Sequence, residues 1–265
     1  MIVSHEHKFI FLHCRKVAGS SVKTAIYPCL GSRDVMVGSV HEAINNGCSL
    51  NSGTRRALLS PIGLARFLAC RVRGYSVPDC INEAIKARYK GPLGSNPPHA
   101  TAAVVKAFVG EQIWNSYYKF CFVRNPFEQV ISDYFWRRTN RKRGAFTFDQ
   151  FLDSLEVNGK DGFASAVRNW DILTINGEPA VDYIGRYEDL ETDFAHACGA
   201  AGLPVLSLGK EKRGQSNFAK PTFELNGDQT RRLQKIFVEE LEYFDYGLPD
   251  KIYSSDENDD GRLLK

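Results

Sequence analysis

Two short apolar runs, each stopped by a turn and followed by a helical stripe, constrain this chain more than any other feature. Phe9-Ile10-Phe11-Leu12 is continuously apolar, as expected of a strand buried on both faces. It gives way to Gly19-Ser20-Ser21, after which Val22, Ala25, Ile26, Cys29 and Leu30 fall at i, i+3, i+4, i+7 and i+8, one face of a helix. Pro28 predicts that this helix kinks or ends there. Phe120-Cys121-Phe122-Val123 repeats the buried strand. Asn125-Pro126 then puts a proline in a first helical turn, and Phe127, Val130, Ile131, Tyr134 and Phe135 repeat the helical spacing. This alternation predicts an α/β fold with a mainly parallel central sheet, flanking helices and a P-loop-like strand-loop-helix.

Weaker elements follow. Thr147 and Gln150 read as a capping box that opens a helix bearing Phe148, Phe151, Leu152 and Leu155. Residues 181–187 read as a strand. Leu190, Phe194 and Ala197 mark a helix closed by Gly202 and Pro204, and Leu233, Ile236, Phe237 and Leu241 a last amphipathic helix. Residues 31–98, rich in Gly, Ser, Asn and Arg with helical fragments such as 81–89, break the rhythm and are expected to be a helical, cap-like insertion. The expectation is one domain over residues 1–253 with an acidic, flexible tail at 254–265. With 265 residues and 12% aromatic content, the chain can bury a sizeable core, which excludes general disorder. Seven cysteines without a C-x-x-C pair suggest neither a disulfide framework nor a zinc knuckle. No leader pattern opens the chain and no apolar run approaches about 18 residues. Taken as full length, the chain is expected to be soluble and cytoplasmic, with no transmembrane segment.

The formal net charge is only +3, which excludes a protein that coats polyanions. The charge is uneven, however. Residues 55–90 carry eight Arg or Lys against Asp79 and Glu83, and Arg137, Arg138, Arg141, Lys142 and Arg143 crowd into seven positions. These clusters suit either a solvated face or an anionic ligand. They are not interleaved with a stacking platform, so no nucleic-acid partner is expected.

Two loops carry the candidate chemistry. Arg15-Lys16-Val17-Ala18-Gly19-Ser20-Ser21 joins the first strand to its helix. A turn of small residues lets backbone N–H groups converge, and a helix N-terminus adds roughly half a positive charge. Lys16 adds a full charge, and Ser20 and Ser21 add hydroxyls. The loop is not a Walker A sequence, because Lys16 precedes the glycine. An ordinary strand-to-helix turn would also look this way. The second candidate is Arg124, at the end of the next strand, with Ser132 eight residues on. Strand carboxyl ends open onto the ligand crevice of a parallel sheet, and an arginine there can grip a phosphate with two donors. A structural arginine and a packed serine are the plain alternative.

Residues 11–21 resemble the 5′-phosphosulfate loop of sulfotransferases that use 3′-phosphoadenosine 5′-phosphosulfate (PAPS). Phe122-Val123-Arg124-Asn125-Pro126-Phe127, continuing to Ser132, resembles their 3′-phosphate motif. The stretch from His99 to Tyr134 is similar to the carbohydrate (family 2) sulfotransferases and their bacterial relatives, as is 183–194. The resemblance covers 8–30, 99–155 and 181–248 and leaves 31–98 unmatched. It implies a PAPS-dependent transferase in which Lys16 lies on the bridging oxygen between phosphate and sulfate. The backbone of Val17 to Ser21, including Ala18 and Gly19, with the Ser20 and Ser21 hydroxyls would then hold the 5′-phosphate, Arg15 would belong to the cofactor-binding set, and Arg124 and Ser132 would hold the 3′-phosphate. It further implies Tyr187 near the adenine and Arg213, in Lys212–Asn217, on a loop over the nucleotide. The resemblance makes His99 the candidate general base, because it precedes the second strand where relatives carry a basic His, and a placed imidazole titrates near neutrality; His13 reads as structural. Glu128 reads as a partner for a neighbouring cation.

The expected acceptor is a hydroxyl of a carbohydrate or glycoconjugate, and the basic clusters would suit an acidic one. No metal is required if Lys16 and the helix N-terminus supply the charge. The rival readings are a P-loop-type nucleotide kinase and a non-catalytic glycan-binding protein with a vestigial nucleotide site. Oligomeric state is left open.

Overall fold

A computed structural model describes residues 1–139, 146–156, 168–208 and 223–252. In chain order the strands are β1 (Ile2–Ser4), β2 (Phe9–Phe11), β3 (Val35–Met36), β4 (Tyr118–Val123), β5 (Thr174–Ile175), β6 (Glu178–Pro179) and β7 (Tyr183–Arg186). The helices are α1 (Gly19–Ile26), α2 (Val40–Asn45), α3 (Ser52–Leu59), α4 (Pro61–Val72), α5 (Val77–Leu93), α6 (Ala102–Val109) and α7 (Glu111–Ser116). They continue with α8 (Pro126–Thr139), α9 (Phe148–Glu156), α10 (Trp170–Leu173), α11 (Leu190–Ala200), α12 (Gly227–Ile236) and α13 (Val238–Phe244). The chain divides into two compact units. The first holds Met1–Cys14, Ala18–Val123 and 171–208; the second holds Arg15–Val17, 124–139, 146–156, 168–170 and 223–252.

The first unit is built on a five-stranded sheet of order β3-β1-β2-β4-β7. β2 pairs with β4, and β4 with β7, in parallel. β1 is antiparallel to both β2 and β3, so four of the five strands run in one direction. This is a mixed α/β fold with a mostly parallel central sheet and flanking helices. The two apolar runs are its centre: Phe9, Ile10, Phe11, Leu12, Phe120 and Phe122 are fully buried, with the Phe11 and Phe120 ring centroids 5.2 Å apart. Pro28 acts as its sequence predicts: α1 stops at Ile26 and a 3₁₀ turn, Tyr27–Cys29, follows. Residues 31–98 supply α2 to α5 and also β3, an edge strand of the sheet itself.

The second unit is helical. Phe127, Val130, Ile131 and Tyr134 on α8 pack with Phe148, Phe151 and Leu152 on α9 and with Leu233 and Phe237. The Thr147–Gln150 capping box forms reciprocally, Thr147 N donating to Gln150 Oε1 (2.9 Å) and Gln150 N to Thr147 Oγ1 (3.2 Å). The single helix expected around residues 233–241 is two, α12 and α13, bent at Phe237, whose backbone leaves the helical range (φ −112°, ψ 25°). The i to i+4 bonding runs through the bend, with Phe237 N donating to Leu233 O and Leu241 N to Phe237 O. A periodicity reading therefore sees one uninterrupted stripe. The tail 254–265 and the loop Lys212–Asn217 with Arg213 lie outside the described residues.

Candidate functional site

In the first unit β2, β4 and β7 run in parallel, β2 ending opposite Phe120 while β4 and β7 run on to Val123 and Arg186. Leu12 N donates to Phe120 O (3.0 Å), and Tyr187 N donates to Val123 O (2.8 Å). Tyr187 therefore extends the β4–β7 pairing by one rung and stands at the carboxyl edge of the sheet, where open α/β sheets take their ligands. α1 starts at the same edge. Its N-cap, Ala18, is left-handed (φ 56°, ψ 22°) and offers no side-chain cap, and the first turn holds no acid. That end of α1 keeps its positive character. Ser39 donates its hydroxyl to that of Ser20 (2.9 Å).

Gly19 is fixed by contact: a Cβ there would collide with the ring of His13. His13 in turn packs on His99, with ring centroids 4.4 Å apart. His99 Nδ1 lies 2.7 Å from the main-chain oxygen of His13. A carbonyl only accepts, so Nδ1 carries the proton, and in the neutral ring Nε2 carries the lone pair. This is the tautomer a base acting through Nε2 requires. His99 and Gly19 thus meet the same side chain, a link no sequence spacing foretells.

In the second unit, α8 is the platform for Arg15–Val17. Its apolar face is committed to the core, and other faces carry Gln129, Asp133 and Trp136. Lys16 Nζ stands 5.6 Å from the centroid of the Trp136 ring, a cation–π distance. The Arg15 guanidinium is 3.8 Å from Asp133, which is fully buried and binds Arg137 Nε at 2.7 Å. Burial pushes the Arg15 pKa down, Asp133 opposes this, and Arg137 adds to it. Arg137, counted in the basic cluster, is therefore spent on an internal pair.

Glu128 and Ser132 fall at i and i+4 on α8, and Arg124 stands two residues ahead of the helix with its side chain reaching Glu128. Nε and Nη2 of Arg124 both donate to Glu128 Oε2 at 3.1 Å. That confirms the reading of Glu128 as the partner of a neighbouring cation, and it holds the arginine fork beside the start of the helix. Ser132 is buried. Asn125 caps α8, accepting from Phe127 N (3.0 Å) and donating to Gly247 O (2.9 Å).

Sequence reasoning missed the residue that holds the first loop. Asn169 Oδ1 accepts from Arg15 N (2.7 Å), and its Nδ2 donates to Arg15 O (3.1 Å) and to Gln129 Oε1 (2.7 Å). It grips both main-chain groups of the residue before Lys16, as a neighbouring strand would. Glu240 on α13 holds Asn169 in turn, accepting from Asn169 N (2.9 Å) and Trp170 N (3.1 Å). Burial pushes the Glu240 carboxyl up to about 7, against those two hydrogen bonds. Nothing in the local sequence connects position 15 with positions 169 and 240.

A recess of about 150 Å³, lined by Arg33, Arg56, Arg88 and Tyr89 among others, contains none of these residues. Among the described residues no group of three or more His, Cys, Asp or Glu could hold a metal ion.

Comparison with known proteins defines the class. The sequence profile of the sulfotransferase family matches residues 1–247. The chain belongs to that family, in the family 2 group its two loops resemble, and is a transferase of sulfuryl groups. It is also similar to an uncharacterized protein of Archaeoglobus fulgidus, 31% identical over 106 residues, which are 39% of this chain and 82% of that protein.

Proposed function

We propose that this protein transfers the sulfuryl group of PAPS to a hydroxyl of a carbohydrate or glycoconjugate, releasing adenosine 3′,5′-bisphosphate. The observation that carries the reading lies within the second unit: Lys16 stands against Trp136 of α8, and Arg124, just ahead of α8, is held by Glu128 in its first turn, with Ser132 one turn further on. One helix thus supports the charge assigned to the breaking bond and the charge assigned to the 3′-phosphate.

In this reading the loop from Arg15 to Ser21 works as a P-loop-like cradle. The backbone of Val17 to Ser21 and the hydroxyls of Ser20 and Ser21 receive the 5′-phosphate. Arg15 contributes through its main chain, its guanidinium being turned to Asp133. Arg124 and Ser132 take the 3′-phosphate, which separates PAPS from ATP-like nucleotides; Tyr187 is assigned to the adenine and Arg213 to the nucleotide. His99 Nε2 takes the proton from the acceptor hydroxyl, whose oxygen forms a bond to sulfur. The bond from sulfur to the bridging phosphate oxygen breaks, and its electron pair stays on that oxygen. Charge therefore grows where Lys16 stands, so its ammonium stabilises the transition state more than the ground state. No metal is assigned to this step. Both units belong, in this reading, to one sulfotransferase domain over residues 1–253.

The test is turnover of sulfur-labelled PAPS on a panel of neutral and acidic glycans. Labelled glycan is expected with the wild type, and about 10²- to 10⁴-fold less with His99→Ala at unchanged bisphosphate affinity. Transfer of phosphate from ATP, with no use of PAPS, would replace this reading with a kinase.

A further inference from the structure

The described residues expose twelve large apolar side chains, and seven of them lie between Leu59 and Val77 of the first unit. Exposed apolar residues scattered singly are ordinary; a contiguous cluster marks a surface that meets something. Four of the seven, Ile62, Leu64, Leu68 and Val72, lie on the outer side of α4. Gly63 and Cys70 are buried and face inward, while Ile62, Leu68 and Val72 are 56%, 54% and 89% exposed. At 3.6 residues per turn, Ile62, Leu64, Ala65, Leu68, Ala69 and Val72 span an unbroken outward arc of about 160°. Arg71 falls at one edge of that arc, and Arg66 and Arg73 at the other. Tyr75 closes the turn after the helix. From Asn51 to Pro78 the chain holds five arginines and no acidic residue. Of the next two acids, Asp79 accepts from Ser76 Oγ at 2.6 Å, and Glu83 is paired with Lys86 at 2.8 Å and Arg66 at 3.5 Å.

We propose that α4 and the turn after it dock on an anionic lipid surface, the helix lying in the plane of the interface. The apolar arc is convex, so it enters a fluid acyl layer without needing a matching groove. The arginines on both rims can lay their stems along that layer and raise their guanidinia to lipid phosphates, with Tyr75 at the same depth. At 12 residues α4 lies on a bilayer and does not cross it. A second copy of the chain fits less well, because an isologous contact sets the same three rim arginines against each other. The inference is independent of the proposed sulfuryl transfer, since lipid binding is read without donor or acceptor.

The experiment is flotation of the full chain with vesicles of phosphatidylcholine mixed with phosphatidylglycerol, and with phosphatidylcholine alone. Binding to the mixed vesicles is expected to exceed that to the neutral ones by at least about tenfold and to fall as salt rises. Leu68→Asp and Val72→Asp, at exposed positions, should abolish it with thermal stability unchanged. Arg71→Ala and Arg73→Ala should each weaken it about fivefold. Absence of binding to the anionic vesicles at low salt, or equal binding by Val72→Asp, would overturn the proposal. So would lipid-free dimerisation, or capture of an acidic protein with no vesicle binding, lost in the same variant.

Discussion

The loop after β2 and the loop after β4 leave neighbouring parallel strands, yet they are held in opposite ways. The second is held mainly from nearby, with one distant bond from Asn125 Nδ2 to Gly247 O. Asn125 caps α8 two residues on, and Arg124 leans on Glu128 one turn along. The first is strained and held from afar. Lys16 and Ala18 both adopt positive φ without being glycine (58° and 56°), at about 1–2 kcal/mol each. Asn169, 154 positions away, supplies the two hydrogen bonds that fix Arg15 just ahead of them. The loop assigned to the breaking bond thus takes its shape chiefly from distant residues, and the loop assigned to affinity chiefly from its near neighbours.

The comparison can be broken at several points. The largest effect is expected from Lys16→Ala: turnover should fall about 10²- to 10³-fold while bisphosphate affinity changes by less than about fivefold. Arg124→Ala should do the reverse, weakening bisphosphate about 10- to 100-fold by calorimetry with a smaller loss of kcat. Equal effects of the two on affinity would erase the division of labour. Next comes Asn169→Ala, which should lower kcat about 10- to 100-fold, more than it raises KM, and cost about 2–3 kcal/mol of stability. Asn169→Asp keeps the acceptor for Arg15 N and loses the donors, so it should fall between. A merely structural Asn169 would lower the melting temperature and leave kcat per folded molecule unchanged.

The smallest effect concerns Glu240. Its folded pKa, about 7, lies above the ordinary carboxylate value of 4.5, so between those values the folded state binds the extra proton. Stability from this group is present at low pH and is lost as pH rises through about 7. Glu240→Gln can keep both accepted hydrogen bonds and has nothing to titrate. Relative to it, the wild type should lose roughly 1–2 kcal/mol between about pH 6 and about pH 8, measured by denaturant unfolding. Parallel curves for the two proteins would remove Glu240 from that role.

What could be read in the sequence follows the same division. Both buried strands, the helices after them, the end of α1 at Pro28 and the Thr147 box are legible because their causes are local: apolar period, proline geometry and side-chain caps. β1 and β3 are not, since runs of three and two residues carry no usable period. The bend at Phe237 is invisible because the apolar stripe continues across it. Lys16, Gly19 and Arg124 are legible as residue types that grip phosphate. The packing of His13 between Gly19 and His99, and the support of Arg15 by Asn169 and Glu240, is not, because contacts between distant positions leave no spacing to read. By rhythm residues 31–98 read only as a cap-like insertion; their arginine-rimmed apolar arc emerges once α4 shows which of its faces is buried.

The most direct test of the central claim is calorimetric titration of the full chain with adenosine 3′,5′-bisphosphate, 5′-AMP and ATP–Mg²⁺, repeated with Arg124→Ala. The account predicts that the bisphosphate binds at least about tenfold more tightly than 5′-AMP and that Arg124→Ala removes the difference. Preference for ATP–Mg²⁺, or a bisphosphate affinity indifferent to Arg124, would contradict it.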